Sequence, residues 1–182
     1  MNKASESGFS YIDVMIAMVI LMVGILALLS AITMSVVQSR GQAEQLTAKQ
    51  IATTTMESIM SVKETDPARM GWRAVGNVGS NVDELGIARG IFLTGANNVL
   101  TDPGPDEVVG TADDTGDPLK QFQRTVTITD ICDPDRPSYN CPTPGTLPVR
   151  MRTVDIAVTY IMGQQVNTER IQTILTDYSV VQ

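Results

Sequence analysis

The twenty-six residues from Val14 to Ser39 carry no charge, and Ile, Val, Leu, Met and Ala dominate them. A run of about 18 or more apolar residues is long enough to cross a bilayer as a helix. A helix that is apolar on every side belongs in lipid or in a helix bundle, so this run constrains the fold before anything else does. A lone carboxylate, Asp13, stands at its start, and the next charge is Arg40.

Helical character is expected to continue past the run. Residues 9–64 read as one helix, about 84 Å long at the standard helical rise, with the membrane-spanning part at 14–37. Gly24 is the one helix-weakening residue deep in the apolar part, costing about 1 kcal/mol against Ala. Met15, Met18, Met22 and Met34 are read as packing residues, because flexible thioethers adapt to irregular bundles. Beyond Arg40 the pattern becomes amphipathic. Ala48, Ala52, Thr55, Ile59 and Val62 recur at spacings of four and three, among Gln42, Glu44, Lys49, Glu57 and Lys63. That stripe suits packing on a sheet. Asp66-Pro67 marks the end of the helix.

Residues 65–120 read as a Gly/Asp-rich loop region. Within it a brief strand around 90–94 and a core-plugging Trp72 are expected. Residues 121–182 alternate with the period of strands. Phe122, Val126 and Ile128 face opposite to Gln123, Thr125, Thr127 and Thr129. Val154, Ile156, Val158 and Tyr160 alternate with Thr153, Asp155, Ala157 and Thr159. After a turn at 162–164, a third strand at 170–176 puts Ile171, Thr173 and Leu175 on one side. The expected fold is therefore α+β: a long N-terminal helix on a small antiparallel meander.

Composition removes several function classes. The chain has 182 residues, no histidine, a net charge of −7 and only 4% aromatic residues. Without histidine there is no His-based nucleophilic triad and no ordinary zinc hydrolase site. A sequence pI near 4.5 argues against bulk nucleic-acid binding, which needs phosphate-neutralising Lys and Arg. No catalytic constellation is present, so an enzyme is not expected, and no cofactor is required.

The segment GFSYIDVMIAMVIL resembles the GF[ST]xxE signature and apolar helix of type IV prepilins and of type II secretion pseudopilins. The resemblance covers about residues 1–64. Three features depart from the family pattern: Asp13 replaces the usual Glu, Ser30 stands near the place of a common mid-helix Pro, and the leader 1–8 has one basic residue, Lys3. A secretory signal peptide would place its cleavage site after the apolar stretch. Here the scissile bond, Gly8–Phe9, lies before it. The resemblance implies cleavage after Gly8 by prepilin peptidase, N-methylation of Phe9, and residence in the inner membrane with the C-terminal domain periplasmic. Assembly with other pilin-like subunits would follow, with Asp13 pairing to a neighbouring Phe9 amine. Asp reaches about 1.5 Å less far than Glu, one C–C bond. The competing role for Asp13 is that of a helix-start acid, favourable through the helix dipole.

The expected function is that of a minor pilin. Minor status is expected from the Asp, the missing Pro and a long loop that would crowd a uniform filament wall. A minor pseudopilin of type II secretion and a membrane-anchored adhesin or ligand-binding module are the alternatives. A DNA-uptake pilin would rest only on Arg150 and Arg152.

Residues 102–117 hold Asp102, Asp106, Glu107, Asp113, Asp114 and Asp117, with Gly104, Gly110 and Gly116 at six-residue intervals. Hard carboxylate oxygens on a Gly-jointed chain suit Ca2+, and the segment resembles the Asp/Gly-rich calcium loops of bacterial surface proteins. Asp102, Asp106, Asp113, Asp114 and Asp117 are the candidate ligands. A solvated acidic loop is the competing reading. Cys132 and Cys141 lie close together in a Pro-rich segment. In an exported domain they read as one local disulfide, worth about 2–3 kcal/mol on the chain-entropy model. Peptide mapping of exported protein without reductant should recover them linked, and alkylatable thiols at both positions would refute the pairing.

Overall fold

A computed structural model describes residues 10–65, 71–83, 85–131, 149–163 and 165–177. Cys132 and Cys141, like Gly8 and Phe9, lie outside the described residues. The chain divides into two compact units between Ala43 and Glu44. Helix α1, Tyr11–Glu64, supplies the described part of the first and opens the second. A short 3-10 turn, η1 at Trp72–Ala74, follows, and then four strands. These are β1 (Ala96–Asp102), β2 (Thr115–Ile131), β3 (Met151–Met162) and β4 (Gln165–Thr176). They form one antiparallel sheet in sequential order, a four-stranded meander.

The expected stripe on α1 is the buried one. Ala48, Ala52, Thr55, Ile59 and Val62 are all at most 1% exposed, joined by buried Met56. Opposite them lie Phe122, Val126 and Ile128 of β2, Val154, Ile156, Val158 and Tyr160 of β3, and Leu175 of β4. The small side chains at 48, 52 and 55 leave room for the branched residues of the sheet. Phe122 and Tyr160, paired in register, stack with ring centroids 6.2 Å apart.

Two arginines share the inward parity of this apolar face. Arg152 precedes Val154 on β3 and is buried. Its Nε donates to Asp130 Oδ1 at 2.8 Å, and Nη1 donates to the carbonyls of Trp72 (2.8 Å) and Val75 (2.6 Å). The guanidinium carbon lies 4.8 Å from the centre of the Trp72 ring. Trp72 Nε1 in turn donates to Val149 O at 2.6 Å. The tryptophan thus packs at the edge of the core, with both its ring and its backbone bound to a strand arginine.

The structure adds to the expected strands. β1 and the first residues of β2 lie inside 65–120, so the meander has four strands rather than three. Around residues 90–94 there is no strand, only a single bridge from Phe92 to Asn77. β4 starts at Gln165, five residues earlier than expected, just past Gly163, whose φ of 64° favours glycine.

β1 begins opposite Thr125, so on that side Val126 to Ile131 of β2 face no strand among the described residues. Asparagine side chains take its place. Asn77 Nδ2 donates to Val126 O (2.9 Å) and Asn77 Oδ1 accepts from Ile128 N (2.7 Å). Asn81 Nδ2 donates to Ile128 O (3.1 Å). Buried backbone groups need such partners wherever a ladder stops. Gly90 closes the same loop, since a Cβ there would meet the Gly76 carbonyl carbon at 2.4 Å.

Ile59→Ala should destabilise the sheet-packed unit by about 2–5 kcal/mol. Leu46→Ala, at a side chain 62% exposed, should change stability by less than about 0.5 kcal/mol. Denaturant unfolding in detergent, followed through Trp72, the single tryptophan of the chain, reads both.

Candidate functional site

From Tyr11 to Val37 every large apolar side chain of α1 is 42–77% exposed. No face of this half is covered by the described residues, and its length and composition are those of a membrane-crossing helix. Two hydroxyls in its middle are internally satisfied. Ser30 Oγ donates to Leu26 O at 3.0 Å, and Thr33 Oγ1 donates to Leu29 O at 2.9 Å. Such i−4 bonds remove the hydroxyls' need for water, which an apolar surrounding cannot supply. With Leu26, Leu29, Met34 and Val37 they line a shallow groove.

Asp13 sits in the first turn. Ser10 is the residue before the helix, and its carbonyl accepts from Asp13 N (2.9 Å) and Val14 N (3.3 Å). Asp13 Oδ2 accepts from Ser10 N–H at 3.2 Å. This is the return half of a capping box, in which an acid at the third helical position satisfies the N-cap amide. The carboxylate therefore has a task within its own chain. Among the described residues, no hydrogen bond reaches its other oxygen.

In the acidic loop Asp102, Asp106, Asp113 and Asp114 accept from the loop's own backbone, and Asp117 contributes its backbone N–H, which donates to Thr101 Oγ1 at 3.1 Å. Asp102 Oδ1 accepts from Gly104 N, and Asp106 Oδ1 from Val108 N. Asp113 Oδ1 accepts from the Thr111 hydroxyl at 2.6 Å and Asp113 Oδ2 from Asp106 N at 3.3 Å. Asp114 Oδ2 accepts from Gly110 N (2.9 Å) and from Arg124 Nη2 (2.8 Å). The Arg124 and Asp114 side chains are both under a tenth exposed, and Arg124 Nη1 lies 3.4 Å from Thr55 Oγ1 on α1. The loop is thus tied through one buried ion pair to both sheet and helix.

The Thr111 hydroxyl holds the Asp113 carboxyl below the usual carboxylate range. Burial, reinforced by the nearby Asp113 charge, raises Asp106. Burial also lowers the Arg124 guanidinium, against the opposing pull of Asp114. Among the described residues no three acidic, Cys or His side chains converge on one point; of the five carboxylates expected as calcium ligands, Asp106 and Asp113 approach one another. Amide N–H groups, Thr111 and Arg124 partner Asp102, Asp106, Asp113 and Asp114, while the Asp113 charge still acts against that of Asp106.

Asp83 has a similar organising role in the preceding loop. Its side chain, 3% exposed, accepts from Arg89 Nε (2.6 Å) and from the amides of Leu85 and Ile87 (2.9 Å each). Arg152, one half of the basic pair weighed for DNA, is buried and committed to Asp130, Trp72 and Val75. The sequence reading missed Arg124, although its parity with Phe122 and Val126 placed it inward. No protein-family model, curated protein or solved structure matches this chain.

Two outcomes follow from these loops. The Arg89 bond, then the Ile87 amide, lowers the Asp83 carboxyl below its ordinary 3.8. Its stabilising contribution is full above that unfolded value and is lost as pH falls through the lower folded one. Asp83→Asn should therefore lower the melting midpoint at pH 7 and flatten the wild-type fall below about pH 4, as melts over a pH series will show. In the acidic loop, millimolar Ca2+ and NaCl at matched ionic strength should give the same midpoint. A calcium-specific rise abolished by Asp106→Asn/Asp113→Asn would show that the carboxylates reorganise around the ion.

Proposed function

We propose that this chain is a structural subunit of a type IV filament, of the minor-pilin kind. Prepilin peptidase cleaves it after Gly8 and the new Phe9 amine is methylated. Residues 14–37 hold it in the inner membrane, with the sheet-bearing unit on the periplasmic side. Other pilin-like subunits then replace lipid around the helix. The observation that supports this reading is the uncovered apolar half of α1, whose one carboxylate lies in its first turn.

The physical logic runs through Asp13. An ionised carboxylate moved among apolar helices is costly unless paired. The Phe9 amine of a neighbouring subunit is the partner that methylation and cleavage create. The same helix would serve a minor pseudopilin of type II secretion. The capping bond from Ser10 to Asp13 favours a second reading of another class, a membrane-anchored adhesin or ligand-binding module. There the carboxylate does nothing beyond starting the helix.

Asp13→Asn separates the two, because an amide oxygen still accepts from Ser10 N–H but carries no charge. The filament reading expects normal membrane insertion and at least about tenfold less variant in sheared filaments, since losing one partner of a buried pair costs about 3–5 kcal/mol. Wild-type recovery of Asp13→Asn in that fraction would leave the anchored-module reading.

A further inference from the structure

We draw no further inference here: the strongest candidate, the polar niche between the start of the sheet-packed part of α1 and the β3–β4 hairpin, where a Glu44 carboxylate oxygen and the Asn167 amide nitrogen are buried without hydrogen-bond partners near Tyr160 and Glu169, is a cluster of acidic and amide side chains with no second observation that points to a ligand.

Discussion

Burial of the Ala48–Val62 stripe against β2 and β3 is the contact on which the rest of this unit depends. It fixes which face of the sheet is inside, and that face sets the parity of every strand residue. A slip of one residue would turn Val154, Ile156 and Val158 to solvent and bring Thr153, Asp155 and Ala157 in. The small residues on the helix are part of the same constraint. Ala48, Ala52 and Thr55 let the backbone approach the sheet, while Ile59 and Val62 fill the space beyond. A chain with few aromatic residues closes its core by proximity rather than by bulk.

Parity also forces the polar architecture. Arg124 and Arg152 fall on the inward face, where an unpaired guanidinium is expensive. Each has a carboxylate partner, Asp114 and Asp130 respectively, at 2.8 Å. Each also draws a loop onto the core: the acidic loop through Asp114, and the Trp72–Val75 turn through its carbonyls. Pairs of this kind contribute little net stability against an apolar substitute, yet removing one partner is costly. In this fold they specify where irregular segments sit. The loops have no apolar periodicity that would place them otherwise.

That division explains what was legible in the sequence. The helix, its buried stripe and the alternation of β2 and β3 follow from apolar spacing; the stripe and the alternation appear at the residues expected, and the helix runs from Tyr11, after its Ser10 cap, to the expected Glu64. β1 did not show itself, because Asn97, Asn98, Thr101 and Asp102 dilute Val99 and Leu100. The first half of β4 was hidden likewise: Asn167, Thr168 and Glu169 are polar on both faces, and they are held by the ladder with β3 and by the Gln45 bond to Glu169. The loop from residue 71 to 92 rests on Asn77, Asn81 and Asp83 bonding to backbone, which leaves no periodic trace. At Asp13 the sequence allowed two roles, helix capping and the proposed assembly contact. The capping bond is formed within the chain, whereas the proposed assembly bond would need a second subunit.

The two halves of α1 ask for different surroundings, and the proposed function is the claim that the apolar half meets lipid first and sister helices later. Cleavage at Gly8–Phe9 is the step that distinguishes this life history from simple anchoring. The N-terminal peptide mass of the protein recovered from envelope fractions tests it most directly. The account predicts a peptide beginning at Phe9 and heavier by one methyl group. A peptide beginning at Met1 or Asn2, with no Phe9 terminus, would contradict it.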